Sequence, residues 1–110
     1  MARTARAAAV VTSAGLAAAY TAVDQANGET MPYNGRRVLH VKNQNAGSLT
    51  VTVRNPVLVD GQAAPDRVVT LLTATDKFIG LQSSVYLQAD GNNYVDYSIS
   101  ASVTAALLEV

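Results

Sequence analysis

The chain contains no cysteine and no tryptophan, one histidine and one phenylalanine among 110 residues. Without cysteine there is no disulfide staple, no thiolate metal centre and no cysteine nucleophile. A single histidine, His40, is all that a Ser-His-Asp arrangement has to work with. It lies mid-run between Val38 and Lys42, away from any loop mouth, which reads as an ordinary strand histidine half-exposed on a sheet face. One histidine and no cysteine would leave a zinc site to several carboxylates, and no HxH or HExxH spacing occurs. Glycines occur singly, so no loop can cradle phosphate.

Charge is scarce as well. Eight basic and eight acidic residues cancel, so nothing favours nucleic acid, whose binders gain from counterion release on a basic surface. Charged residues make up 15 %, against about a quarter in soluble domains. That suits a surface largely covered by a partner, and equally a small Ala- and Thr-rich domain that needs few charges. The longest uncharged run, residues 7–23, is diluted by Thr12, Ser13, Gly15 and Thr21. It also falls short of the ~20 apolar residues of a membrane span, so no membrane partner is expected. Arg3 and Arg6 ahead of AAAVVTSAGLAAAYTA have the order of a signal peptide, but the core of that run is alanine and not leucine.

What the chain has is alternation. RVLHVKN (37–43) puts Leu39 and Val41 on one face and Val38, His40 and Lys42 on the other. LTVTVRN (49–55) sends Leu49, Val51 and Val53 inward, and the Gly-containing NAGS between the two runs signals a hairpin. VVTLL (68–72), KFIGL (77–81), SVYLQ (84–88), NYVDYSIS (93–100) and the closing ASVTAALLEV supply further strands. DQANGETMPYNG (24–35) and PVLVDGQAAPDR (56–67) carry turn signals and read as loops, and LAAAYTAV (16–23) is ambiguous. The resulting expectation is all-β: an antiparallel, jelly-roll-like β-sandwich of about eight short strands over residues 16–110. Residues 1–15 form an extended N-terminal arm ahead of it, given the β-branched Val10, Val11 and Thr12.

No constellation for chemistry emerges, so the expectation is no catalytic residue, no cofactor and no metal. Half of the acids (Glu29, Asp60, Asp66 and Asp90) lie beside Gly or Pro, in turns where a carboxylate caps local N–H groups. ADGNN has a single acid, Asp90, where a calcium loop wants several. Asp96 is one polar tooth in an alternating strand. The five tyrosines (Tyr20, Tyr33, Tyr86, Tyr94 and Tyr97) could line a sugar-binding face, an idea weakened by the lack of tryptophan. Three of them flank ADGN, where cross-strand aromatic pairs would brace a hairpin.

The segments GRRVLHVKN, KFIGL and YLQADGNNYVDYS bring a family into view. Over residues 16–110 the chain resembles small β-rich proteins from the structural gene clusters of tailed phages infecting actinobacteria. The resemblance implies a virion component, most often a head decoration (cement) protein on the capsid exterior. Such a protein is made in the host cytoplasm, binds the major capsid protein and groups as a homotrimer. It implies no enzyme. A tail or head–tail joining protein is the alternative within the virion, and a carbohydrate-binding module using the tyrosines is the alternative outside it. Partner contacts are expected from the arm (Arg3, Arg6, Val10, Val11), from Arg36 and Arg37, and from Tyr86 and Tyr94, because tyrosine is rigid, large and tipped with a hydroxyl. The arm suits bridging, since an extended segment can add a strand to a neighbour's sheet edge.

Overall fold

Alternating β-branched and leucine side chains pack well on a pleated surface, and these positions make the core. Leu39, Val41, Leu49, Val51 and Val53 are each no more than 2 % exposed. The structure, a computed structural model, describes residues 3–17, 19–56, 58–63, 65–82 and 86–109. Among these the strands are β1 (Thr4–Ala5), β2 (Ala8–Val10), β3 (Thr21–Ala22), β4 (Glu29–Pro32), β5 (Arg37–Asn43) and β6 (Leu49–Val53). They continue with β7 (Leu58–Val59), β8 (Gln62–Ala63), β9 (Arg67–Leu71), β10 (Thr75–Leu81), β11 (Asn92–Tyr97) and β12 (Val103–Glu109).

The protein is all-β. The first sheet has five strands in the order β1-β4-β11-β6-β9. The second also has five, β10-β5-β12-β2, with β3 sharing the outer edge of β12 beside β2. A two-stranded hairpin, β7-β8, turns at Asp60 and Gly61, both at positive φ as a two-residue hairpin requires. Strand number therefore exceeds the expected eight, and the excess lies in the arm and this hairpin. Pairing from β3 onward is antiparallel, but β1 joins β4 and β2 joins β12 in parallel, so both large sheets are mixed.

One core lies between the two sheets. Met31, Val51, Leu71 and Val95 contribute from the first, Leu39, Val41, Val103 and Leu107 from the second. Register fixes the faces, because a slip of one residue would turn every side chain over. From β3 onward each connection crosses between the large sheets, except the step from β6 to β9. The expected hairpin of β5 and β6 is therefore a corner. Asn43, fully buried, holds it: its amide donates to the carbonyls of Gly47, Leu71 and Leu72, and its oxygen accepts from the Asn45 N–H.

Three further expectations change. The loop read into residues 24–35 contains β4, whose Glu29 and Met31 point inward between the flanking Asn-Gly turns. Of the expected strand SVYLQ, Ser84 and Val85 lie outside the described residues, and Leu87 meets Asn93 in one isolated bridge. The tyrosines after it brace the hairpin through polar partners: among the described residues the aromatic ring pairs are Tyr20–His40 and His40–Phe78.

Candidate interaction surfaces

The arm runs along the edges of both sheets, and its two arginines anchor it. β1 lies on β4, with the Thr4 N–H on the Gly28 carbonyl and the Arg6 N–H on that of Thr30. At Arg6 the chain crosses to the second sheet, where β2 lies on β12. The Arg6 guanidinium takes both oxygens of Glu29, at 2.9 and 2.7 Å. It also donates to the Ala105 carbonyl at 2.7 Å and the Ala22 carbonyl at 3.3 Å. It thereby serves the edge of β12 in the gap between β2 and β3. Glu29 is 1 % exposed and also accepts from the Tyr97 hydroxyl at 2.8 Å and the Asp24 N–H at 3.1 Å. Burial works against the Arg6 charge, but the paired carboxylate raises the guanidinium above its ordinary value. Burial, then Glu29, push the Tyr97 hydroxyl far up, which keeps it a donor.

Arg3 forks onto Asp96 at 2.7 and 3.3 Å, and Arg54 takes the same carboxylate from the other side. Burial opposes the Asp96 charge, yet hydrogen bonds from Arg3 and Arg54 win, and Asp96 sits below the usual carboxylate range. Gly28, at φ 74°, makes this possible: a Cβ there would land on the Asp96 carboxylate and the Arg3 guanidinium. Arg3 also lies 4.6 Å over the Tyr94 ring. The Tyr94 hydroxyl donates to Asp90 at 2.7 Å, and this bond, more than any other, lowers Asp90. Asp90 also accepts from the Asn92 N–H, so it is turn chemistry, as read from ADGNN. Arg3, Arg6 and Tyr94 are thus committed within the chain. Asp96, read as a mere polar tooth, is the hub of this face; its partners lie far away in sequence, and only the fold brings them in.

Four other candidates gather at one end of the second sheet. Register places Arg37, Glu109 and Val10 in one cross-strand row. The Glu109 carboxylate accepts from Arg37 at 3.2 Å and from the Asn34 amide at 2.6 Å, with Arg36 at 3.8 Å. The Val11 N–H bonds the Glu109 carbonyl at 2.8 Å. Val10 and Val11 are 50 % and 43 % exposed, and the Arg36 side chain 65 %. This corner is an apolar patch rimmed by two arginines and one carboxylate. Tyr86 stands apart. It packs on the core beside a groove of about 340 Å³ that Val53, Arg67, Val69 and Phe78 also line.

The outer faces of the two sheets differ sharply. On the first, register sets Thr30 beside Tyr94 and Asp96 beside Thr52, with Thr50 beside Thr70. Hydroxyls and ion pairs dominate there, with Val68, 57 % exposed, opposite Thr52. On the second, Gly80, Val38, Leu108 and Ala9 form one continuous row across four strands. The next row is Phe78, His40 and Ala106, and only the third, Asp76, Lys42 and Thr104, is polar. Phe78 is 64 % exposed and stacks on His40 with ring centres 3.9 Å apart. Val38, Leu108 and Ala9 are half-buried on this outward face, and none of them belongs to the core cluster.

His40 itself is not half-exposed but 6 % exposed, capped by Phe78 and Tyr20. Nδ1 faces the Tyr20 hydroxyl at 2.7 Å and Nε2 the Asp76 carboxylate at 2.6 Å. Both ring nitrogens therefore have hydrogen-bonding partners within the chain. Among the described residues no three His, Asp or Glu side chains gather as a metal site, and no helix is long and apolar enough to cross a membrane. No protein-family model, curated protein or solved structure matches the chain.

Proposed function

We propose that this chain is a head decoration (cement) protein of a tailed phage, which binds the outer surface of the major capsid lattice and stabilises the head. The observation that carries the reading is the outward apolar row Gly80–Val38–Leu108–Ala9, with Phe78 beside it and the polar row Asp76, Lys42 and Thr104 at its rim. Contiguous apolar surface rimmed by polar groups marks a contact with another macromolecule. A flat sheet face suits a broad protein surface better than it suits a small substrate, which calls for a concave site.

The strand order supports the finer reading of the fold, a jelly-roll sandwich. β3-β12-β5-β10 facing β4-β11-β6-β9 is the nested order of two interlocked Greek keys, and jelly rolls recur in viral capsid proteins. In this reading β1 and β2 are additions at the sheet edges and β7-β8 is an excursion between β6 and β9. The segments GRRVLHVKN, KFIGL and YLQADGNNYVDYS supply the phage resemblance, and with it the trimeric grouping and the place on the capsid exterior.

The role needs no catalysis. Each copy makes a modest contact, and repetition of the lattice multiplies it. The test adds purified protein to expanded heads that lack it. Co-sedimentation at a fixed ratio to capsid subunits and a raised melting temperature of the heads are the expected results. Saturating protein that neither sediments with the heads nor stabilises them overturns the proposal. A virion copy number of six or twelve, by quantitative mass spectrometry, would instead indicate a ring at the neck or tail.

A further inference from the structure

The arm belongs to the fold through contacts of a different kind from those of the rest of the chain. No residue of 3–10 is in the buried core cluster, and only Ala8 packs against it. Thr4 and Ala5 are exposed. Beside the arm runs a cavity of about 470 Å³, lined largely by alanines, Ala5, Ala7, Ala22 and Ala106 among them. Backbone ladders, two arginines and the hydrogen bond from the Thr4 hydroxyl to Asp24 therefore hold the arm, with little help from packing.

The seat, by contrast, requires an occupant. With no Arg6 in place, Glu29 keeps the Tyr97 hydroxyl and the Asp24 N–H but has no countercharge, although it is 1 % exposed. A buried unpaired carboxylate is costly. The outer edge of β4, and that of β12 from Leu107 to Glu109, would also be open to any strand. The seat is selective: its occupant must present an arginine where β4 gives way to β12, and a second one over Gly28.

The segment that joins arm to body places little constraint on which copy supplies it. Val11 to Ala17 are exposed, and Gly15 sits at φ 93° with open space around it. Residues 11–20 reach ~33 Å when extended, at ~3.3 Å per residue. The molecule measures 44 × 35 × 24 Å, so that reach exceeds its shortest dimension and crosses to a copy packed along that axis.

We propose that residues 3–10 are an exchangeable strand, and that the seat on β4 and β12 takes the arm of a second copy of this chain. Copies held side by side are joined by reciprocal exchange. Each contact made on the chain's own body is remade on the neighbour's, so exchange needs no new complementarity. Local concentration sets the balance between closed and exchanged forms. The exchange is a property of the purified protein alone. Its failure leaves the decoration role standing, and loss of capsid binding leaves the exchange standing.

The direct test is the double variant Ala5→Cys with Thr30→Cys. These residues are register partners across β1 and β4, and the chain has no other cysteine. The variant is unfolded, refolded at low or high protein concentration, oxidised, and mapped by mass spectrometry for the 5–30 bond. Covalent dimers and larger species carrying that bond should rise several-fold from dilute to concentrated refolding. A bond found only within single chains at every concentration overturns the proposal. A second test mixes Arg6→Ala, which keeps an intact seat, with Glu29→Gln, which keeps an intact arm. Native mass spectrometry should show mixed dimers above their statistical share; a share no higher than statistical contradicts exchange. If those variants do not fold, the cysteine pair still decides.

Discussion

The Arg6 guanidinium grips both oxygens of Glu29 in the seam where the arm passes from the first sheet to the second. Their side chains are 9 % and 2 % exposed, so the pair is buried in a way the Arg3–Asp96 pair, at 23 % and 26 %, is not. That difference ranks the two anchors. Removing one partner of a buried pair costs about 3–5 kcal/mol, whereas a more exposed pair is worth roughly 0.2–1 kcal/mol. Arg6→Ala should therefore lower unfolding stability several times more than Arg3→Ala, as read from urea denaturation. Equal effects would mean that Arg6 does not carry the lock. Arg6→Met combined with Glu29→Gln should cost less than Arg6→Ala alone, since no buried charge is stranded.

Gly28→Ala should release the arm's first anchor. The residue is at φ 74°, where a side chain costs about 1–3 kcal/mol in backbone strain. The added Cβ also displaces Arg3 from Asp96. Trypsin should cut after Arg3 faster in this variant than in the parent, while the β circular-dichroism signal persists. Unchanged cleavage would contradict the packing of Gly28 against the anchor.

Acid should loosen the arm before the core. Asp96 is depressed because the hydrogen bonds of Arg3 and Arg54 outweigh burial, and Asp24 because of hydrogen bonds first from Thr4 and then from Asn27. A carboxylate depressed in the folded state contributes stability above its unfolded value, ~3.9, and loses it as pH falls through the lower folded value. Both carboxylates hold arm residues. Amide protection at Thr4 and Arg6 should therefore fall below about pH 4, while that of Val41 and Val51 persists. Asp96→Asn should lose stability relative to the parent at neutral pH, and the difference should vanish once the pH is below the folded value. A constant difference across that range would sink the assignment.

Much of the fold was legible in period-two patterning. RVLHVKN is β5 to the residue, and the inward set Leu49, Val51 and Val53 is buried as its alternation demanded. Alternation gives faces and not partners, however, so the step from β5 to β6 read as a hairpin when it is a corner between sheets. β4 was hidden because four residues between two Asn-Gly turns leave no window long enough to show a period. The site was less legible. Arg3 and Arg6 were visible as an outlying basic pair, but their partners Asp96 and Glu29 are 93 and 23 residues away. The apolar row on the second sheet could have been assembled from Val38, Gly80 and Leu108 only with the register of three strands in hand. Glu29 did leave a trace: with Met31 it alternates inward, an acid in a core position that calls for an arginine.

The central claim is that the outward row of the second sheet is the binding face. Leu108→Lys and Phe78→Ser place polar groups there, at positions that are half-buried and exposed respectively. Leu108 is half-buried and Phe78 caps His40, so the urea midpoint of each variant is measured beside its binding, and loss of binding counts only where the midpoint is retained. The decisive measurement is co-sedimentation of the parent and both variants with expanded heads that lack the protein. Saturable binding by the parent is expected, with binding at least tenfold weaker for each variant that keeps the parent's urea midpoint. Variants that bind as the parent does, or a parent that does not bind at saturation, would contradict it.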